Sequence, residues 1–316
     1  MSNNIGNKLK DFEKMSWAIK VYTAERWGNT VPCPLRLVVN TYHSCQHKCG
    51  YCYVWSLKES VTSRSGFRKA LLHDIERGKQ YGISSFAVEM SASTDPLQPM
   101  EKDLGESLFA IKELLGNGFK VLIVTKNPAL LLDKDYCWLL KEPNLSVDVT
   151  ATSLREGSAE GSILNNNGPS AKEKIKTIKT LIDQGKQVRA RIDPVVPSVK
   201  NFRGQSEEDL KELVGELAKA GVKLVISKTM RLCRGMPKPV VEAYYDYYKS
   251  NGQLLGANYI LAADIRRKML SPIYEACLKN NIRFCPCCDV DVFAGDRIST
   301  CSVEGETALL NRDIML

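Results

Sequence analysis

The regular alternation of short apolar segments with amphipathic ones constrains the fold of this chain more than any other feature. Segments rich in β-branched and aliphatic residues, typical of strands, cover residues 35–42, 83–91, 119–125, 145–152, 187–193 and 222–228. Segments with helical character lie between them, at residues 65–81, 102–117, 129–140, 170–184 and 206–220, and Ser170 with Glu173 forms a capping box. Six strand–helix units in succession predict a parallel sheet, either an α/β barrel or a doubly wound sheet.

Polar residues share one face of the fourth and fifth predicted strands: Asp148, Thr150 and Thr152 on one, and Arg189, Arg191 and Asp193 on the other. Helices cover only the outside of a barrel, so the apolar faces point outward and these polar faces point into the lumen. A closed eight-stranded barrel fills its lumen with bulky apolar side chains. The pattern therefore predicts an open, partial barrel that holds a polar ligand; the alternative is a solvent-exposed sheet face.

The chain is expected to divide into three parts: a polar N-terminal extension at residues 1–30, a barrel core at 31–235, and a C-terminal region at 236–316. The last part has helical segments at 238–250 and 263–281, followed by the cysteine-rich segment FCPCCDVDVFAGDRISTCSV. The predicted fold class is therefore α/β, a partial (β/α)6 TIM-type barrel with a cysteine-rich C-terminal extension.

Composition and charge indicate where in the cell the protein is expected to lie and what kinds of partner it is expected to bind. No run of 18 apolar residues is present, and the start of the chain lacks the charged-then-apolar pattern of a secretory signal, which predicts a cytoplasmic protein without a membrane span. The formal net charge of +8 favours a polyanionic partner such as nucleic acid, and is equally consistent with a merely basic surface. Eleven cysteines in a reducing compartment point to metal binding rather than to disulfides.

Three of these cysteines, Cys45, Cys49 and Cys52, stand at CxxxCxxC spacing directly after the first predicted strand. Three thiolates on one loop can each bind one iron of a [4Fe–4S] cluster, which leaves the fourth iron open to another ligand. The spacing differs from zinc patterns, in which a CxxC pair is matched by a second pair. With Tyr51 directly before the last cysteine, the loop resembles that of the radical S-adenosylmethionine (SAM) superfamily. The resemblance implies that the cluster binds SAM and cleaves it reductively to a 5′-deoxyadenosyl radical, with Tyr51 near the adenine.

Four motifs in order, CQHKCGYCY, SASTDPLQPME, VTKNP and RIDPVVP, resemble the spore photoproduct lyase-like group of that superfamily over residues 35–230. The resemblance implies a barrel of the radical SAM type and a set of SAM-binding residues: Tyr51, the Ser93–Thr94–Asp95 segment, Lys126 near the SAM carboxylate, Thr152 or Ser153, and Arg191. It also implies that Arg191 and Asp193 face the active site. Alternatively, Asp95 with Pro96 forms an ordinary turn and Lys126 a surface salt bridge.

One position departs from this group. Spore photoproduct lyases resemble ASCTSDP where this chain reads SASTDP, so Ala92 occupies the place of a cysteine that donates a hydrogen atom to the product radical. An alanine cannot donate that atom. The resemblance therefore supports the fold and SAM cleavage, and it does not support the reversal of thymine dimers unless Cys288 or another C-terminal cysteine takes the role.

A second cysteine group, Cys285, Cys287, Cys288 and Cys301, lies near the C-terminus. Three interpretations of this group are open: a site for an auxiliary iron–sulfur cluster or zinc, a catalytic hydrogen donor at Cys288, or buried structural thiols.

Three functions follow. The first is a radical SAM enzyme acting on a nucleic acid or nucleotide, with flavodoxin or ferredoxin as reductant. The second is a radical SAM enzyme that modifies a peptide or protein and uses an auxiliary cluster. The third is a metal-stabilised nucleic-acid-binding protein without catalysis.

Overall fold

The computed structural model describes residues 2–22, 36–56, 63–156, 162–164 and 166–303. The described residues do not include Cys33, nor residue 35, where the first predicted strand begins. Residues 304–316 also lie outside them. No helix within these ranges is long and apolar enough to cross a membrane.

The core of the molecule is a curved sheet whose central strands run parallel. The strands in chain order are β1 (Ile19–Tyr22), β2 (Arg36–Val39), β3 (Ala87–Met90), β4 (Lys120–Thr125), β5 (Leu145–Thr150), β6 (Val188–Val195), β7 (Leu224–Thr229), β8 (Leu232–Cys233), β9 (Gly252–Leu255), β10 (Asn258–Leu261) and β11 (Arg283–Pro286). β2 to β7 pair in sequence order and in parallel, which confirms the six predicted strands. The sheet order is β1-β2-β3-β4-β5-β6-β7-β11 and the described sheet is open, while β8, β10 and β9 form a small separate sheet.

The helices are α1 (Ser2–Met15), α2 (Phe67–Tyr81), α3 (Glu101–Leu104), α4 (Glu106–Gly116), α5 (Ala171–Asp183), α6 (Glu207–Lys219), α7 (Lys238–Asn251) and α8 (Ala263–Lys279). The predicted capping box is present at the start of α5, where the Ser170 and Glu173 side chains each accept the other's backbone N–H. The helix predicted at 102–117 is divided by Gly105, whose φ of 61° lies in the left-handed region.

The prediction of a helix at residues 129–140 is wrong. Two 3-10 turns replace it, Pro128–Leu132 and Cys137–Lys141, with extended backbone at Asp133 between them. Tyr136 explains the break, because its hydroxyl donates to the buried Glu101 carboxylate at 2.8 Å. This tertiary contact outweighs the helical periodicity of the segment.

The lumen is polar where β5 and β6 face it, as the alternation predicts. Asp148, Arg189 and Arg191 lie on this inner face, whereas Val147 and Val149 belong to the apolar layer under the helices. The apolar layer is continuous with α1, α2, α4, α5, α6 and α8. β5 and β6 therefore present charged side chains to the interior of the sheet.

Both ends of the chain complete this sheet. β1, from the segment predicted as an extension, pairs antiparallel with β2, and β11, from the C-terminal region, pairs parallel with β7. The division at residue 235 stays a prediction, but its C-terminal part supplies a strand to the same sheet. Residues 299–303 then cross the lumen, where the Cys301 carbonyl accepts from Arg36 and Arg189 and Val303 packs on Ala87 and Leu122.

Candidate active site

The loop with the three predicted cluster ligands follows β2, at the end of the sheet where the parallel strands terminate. Gln98 holds it in place: its side-chain oxygen accepts the Gln46 N–H at 2.8 Å, and its amide donates to the Ser44 carbonyl at 3.1 Å. Gln46 in turn accepts the Met100 N–H at 2.7 Å. The loop is thereby fixed to the segment that follows β3.

Gly50, between the second and third cysteines, is required by a close backbone approach. A Cβ at this position would lie 2.7 Å from the carbonyl oxygen of Ile163, which is nearer than van der Waals contact allows. The Cys52 N–H donates to the Cys49 carbonyl at 3.0 Å and closes the turn around this glycine. A side chain at position 50 would displace the loop and its thiols.

None of the three thiols forms a disulfide with another described cysteine, and Cys49 is buried while Cys45 and Cys52 are partly buried. Burial raises the pKa of Cys45 and of Cys52 to about 12, with further contributions from Asp95 and Cys49 respectively. Within the described ranges no three Cys, His, Asp or Glu side chains converge closely enough to hold one metal ion. A cubane cluster spaces its ligands more widely, because each thiolate binds a different iron. The donor set therefore fits a cluster better than a single zinc ion.

Several buried polar atoms in and beside this loop have no hydrogen-bond partner among the described residues, and they include the Lys126 ammonium and the Thr94 hydroxyl. The Lys126 ammonium lies 5.3 Å from the centre of the Tyr51 ring and 3.9 Å from the Glu156 carboxylate. Burial by itself would lower the pKa of Lys126, but Cys49 and Glu156 reverse this and raise it. A buried cation and a buried hydroxyl without acceptors are costly, which indicates that a ligand accepts from them.

Asp95, predicted to bind SAM, is fully engaged by the protein. One oxygen accepts from the Leu97 N–H and the Thr125 hydroxyl, and the other accepts from the Lys126 N–H at 2.6 Å and lies 3.1 Å from His47. Asp95 therefore joins the cysteine loop to the ends of β3 and β4 and positions Lys126. Its predicted contact with SAM stays a prediction. The neighbouring Ser93 accepts a hydrogen bond from the Tyr53 hydroxyl at 3.3 Å.

Thr152 and Ser153 lie buried at the end of β5 as predicted, with hydroxyls that already have protein partners. The Thr152 hydroxyl donates to Glu156 at 2.7 Å, and the Ser153 hydroxyl accepts from the Arg155 N–H at 2.9 Å. Their predicted contacts with SAM also stay predictions.

Glu156 also accepts from the ammonium of Lys174, which is fully buried. One carboxylate thus faces two ammonium groups, those of Lys126 and Lys174. The sequence does not single out Glu156. Lys174 does carry a signal, because it falls on the apolar face of α5 with Ala171 and Ile178.

A cavity of about 490 Å³ opens in front of Cys52 and holds the three predicted catalytic residues in its lining: Arg191, Asp193 and Cys288. Arg191 donates to Asp148 at 3.3 Å and to Asp193 at 2.6 Å, and the Lys228 ammonium lies 3.5 Å from Asp193. Burial would raise the pKa of Asp193, but Lys228 and Arg191 lower it more and keep it ionised. Ala92 lines the same cavity.

Three members of the second cysteine group, Cys287, Cys288 and Cys301, line the same cavity. Cys285, Cys287 and Cys301 are buried in one cluster, with Cys288 packed against it. The Sγ atoms of Cys287 and Cys288 lie 3.7 Å apart, and the φ of Cys288 is 64°, which is uncommon for a residue other than glycine. The structure thus brings the four cysteines together beside the cavity, without the convergence that a single metal ion needs.

No family model matches the chain. An uncharacterized protein of Methanocaldococcus jannaschii is 27% identical over 168 residues, which are 52% of this chain and 62% of that protein. Streptococcus suis SuiB bound to S-adenosylmethionine superposes on 90% of this chain and 54% of SuiB, with a TM-score of 0.54 and 16% identity. A spore photoproduct lyase variant with bound AdoMet and dinucleoside spore photoproduct superposes on 78% of this chain and 75% of the lyase, with a TM-score of 0.55 and 16% identity.

The chain shares the fold of these proteins, an open α/β barrel. The cysteine loop and Lys126 follow the carboxyl ends of β2 and β4, the end at which barrel enzymes build their active sites, and Arg191 lies within β6. The chain spans just over half the length of SuiB and about three fifths of the archaeal protein.

Proposed function

We propose that this protein is a radical SAM enzyme in which Cys45, Cys49 and Cys52 hold a [4Fe–4S] cluster. The observation that carries the proposal is a pair of buried donors near the cysteine loop, the Lys126 ammonium and the Thr94 hydroxyl, which have no hydrogen-bond partner among the described residues. When bound, the cluster and SAM would supply the one-electron chemistry that yields a 5′-deoxyadenosyl radical.

The protein's own residues would bind and orient SAM. Lys126 would donate to its carboxylate and Thr94 would contact it through the hydroxyl, because these two buried groups have hydrogen-bond donors to give. Tyr51 would pack near the adenine, and Ser93, Asp95, Thr152, Ser153 and Arg191 complete the proposed SAM site. Of these, Asp95 would act mainly through the backbone of Lys126, since both of its oxygens already accept hydrogen bonds.

We further propose a nucleic acid or nucleotide as the substrate. Arg231 and Arg234 line the cavity beyond β7, where phosphates could reach them, and the chain carries a net charge of +8. Arg191 and Asp193 would orient the reacting group. Cys288, across the cavity from the cysteine loop, is the proposed thiol that returns a hydrogen atom to a product radical in place of Ala92.

A second candidate function is modification of a peptide or protein. It is favoured by the gathering of Cys285, Cys287, Cys288 and Cys301 beside the cavity, where they could hold an auxiliary iron–sulfur cluster. SuiB, one of the structural neighbours, is also known bound to its precursor peptide SuiA. Iron counting separates one bound cluster from two: about four irons per chain means that only the radical cluster is bound.

The decisive experiment is anaerobic reconstitution with iron and sulfide, followed by dithionite and SAM, with 5′-deoxyadenosine as the measured product. Replacing Cys45, Cys49 or Cys52 by alanine should abolish the product, whereas Cys137→Ala should not, because Cys137 is exposed and lies outside the cavity lining. If the parent chain forms a cluster but no 5′-deoxyadenosine, the enzyme proposal fails and the non-catalytic nucleic-acid-binding protein replaces it.

The substrate class is tested by deuterium transfer into 5′-deoxyadenosine from deuterated DNA, RNA and peptides. Label from an oligonucleotide supports the first candidate, and label from peptides alone supports the second. We place the protein in the cytoplasm with flavodoxin or ferredoxin as its reductant. Reduced flavodoxin or ferredoxin should therefore replace dithionite in the same assay.

A further inference from the structure

A second cavity lies at the opposite end of the barrel, where the parallel strands begin. Its volume is about 770 Å³, and its lining includes the first residues of β4, β5, β7 and β11 together with residues 299–303. The Arg36 and Arg189 contacts to the Cys301 carbonyl lie between this cavity and the candidate active site. The second cavity is therefore separate from the proposed SAM chemistry.

The charges that line this cavity are strongly unbalanced. The lining has one acidic side chain, that of Glu142, and five basic ones: Lys120, Lys141, Lys186, Arg189 and Arg283. Arg189 is already paired with Asp148 and with two backbone carbonyls. Among the described residues the other four cations have no carboxylate within ion-pair distance.

The excess of positive charge includes a buried residue, Lys186. Its side chain is buried, and its ammonium donates to the Glu142 backbone carbonyl at 2.7 Å. Burial lowers the pKa of Lys186 to about 8, so near neutral pH the residue is still mainly protonated. The Glu142 carboxylate opposes this effect of burial only in part, so the ammonium is poorly compensated and an anion beside it would supply more counter-charge.

We propose that this cavity is a second binding site that takes a small anion with more than one phosphate group. Lys141 and Arg283 are exposed at its edge and would approach the anion from two sides of the barrel, while Lys186 and Lys120 would contact it from within. Ser299, Thr300 and Ser302 add hydroxyl donors along the third side. Several lysines and an arginine around a polar cavity are the chemistry that recognises phosphate oxygens. The inference goes beyond the proposed function and does not depend on it.

Calorimetric titration of the full chain with inorganic pyrophosphate at low ionic strength tests the proposal. We expect saturable one-to-one binding with a Kd below about 1 mM, weakened by added salt. ATP should bind and adenosine should not, which would identify the phosphates as the recognised group. No saturable binding of pyrophosphate would overturn the proposal.

A variant pair locates the site. Lys141→Ala with Arg283→Ala removes two exposed cations from the cavity and should raise the Kd for pyrophosphate about tenfold or more. Lys172→Ala with Lys176→Ala removes the same charge from the exposed face of α5, outside the lining, and should leave the Kd unchanged. Equal weakening by both variants would mean that only net charge attracts the anion.

The candidate active site needs a separate control, because arginines also line its cavity. Arg231→Ala with Arg234→Ala removes two cations from the first cavity. If this variant loses pyrophosphate binding while the Lys141/Arg283 variant keeps it, the anion binds at the first cavity and the proposed second site is refuted.

Discussion

Glu156 offers the sharpest test of how the cysteine-loop side of the barrel is held together. Its carboxylate is buried, accepts from Lys174 and from the Thr152 hydroxyl, and lies 3.9 Å from the Lys126 ammonium. Glu156→Gln removes the negative charge, yet the glutamine oxygen can still accept from Thr152. The variant therefore isolates the charge and leaves the shape almost unchanged.

The expected loss is large because two buried ammonium groups lose their shared counter-charge. Removing one partner of a buried ion pair costs about 3–5 kcal/mol. Domains of ordinary stability unfold with only about 5–15 kcal/mol, so Glu156→Gln should consume a substantial part of the total. Adding Lys174→Met to Glu156→Gln removes one of the stranded cations and should recover at least about 1 kcal/mol.

The assay is urea unfolding of the cluster-free chain, followed by circular dichroism, for the parent, both variants and an exposed control. Glu242→Gln breaks an exposed pair with Lys238 and should change the free energy of unfolding little. A loss below about 1 kcal/mol for Glu156→Gln, within the range of exposed ion pairs, would refute the reasoning. So would a double variant no more stable than Glu156→Gln alone.

Three further predictions concern the loop, its anchor and the far end of the barrel. Gly50→Ala should lower the free energy of unfolding by about 1–3 kcal/mol and reduce the iron retained after reconstitution, because its Cβ would press on the Ile163 carbonyl. The control Gly215→Ala, in α6 with open space around it, should instead raise the free energy of unfolding by about 0.5–1 kcal/mol and leave the retained iron unchanged. Asp95→Asn should cost about 1.5–3 kcal/mol in urea unfolding and weaken SAM binding measured by calorimetry, because an amide cannot accept from all of the donors around Asp95; unchanged SAM affinity would contradict its role in positioning Lys126. Burial lowers the pKa of Lys186 to about 8, below its value of about 10.4 in an unfolded chain. Between these pH values the unfolded state binds more protons, so the free energy of unfolding should rise with pH. Lys186→Met should flatten that rise in urea titrations at pH 8 to 10, and an identical pH profile of the variant would refute the prediction.

Local patterns explain what the sequence predicts well. The alternation along residues 145–152 and 187–193 places charges on the inner face of β5 and β6, because successive side chains of a strand point to opposite faces. The capping box of Ser170 and Glu173 is equally local and is present at the start of α5. These signals need no knowledge of distant parts of the chain.

The parts that the sequence does not predict depend on distant contacts. β1 and β11 have only four residues each, and they are strands because β2 and β7 offer unpaired edges to them. The turn at Asp133 follows from the bond between Tyr136 and Glu101, two residues 35 positions apart. Lys174 is recognisable as an unusual residue on an apolar helix face, but its partner Glu156 is identified only once the fold joins α5 to the end of β5.

The pairing of lumen charges indicates which side of the cavity receives an anionic group. On β5 and β6, the register sets Asp148 opposite Arg189, and Arg191 then joins Asp148 to Asp193. With Lys228, two carboxylates face three cations, and each of the five groups lies in an ion pair of 3.5 Å or less. On the cysteine-loop side, Glu156 is shared by Lys126 and Lys174, and the Lys126 ammonium, 3.9 Å away, has no hydrogen-bond partner among the described residues. The carboxylate of a bound ligand is therefore attracted to Lys126, and the β6–β7 side is left to orient its less charged parts.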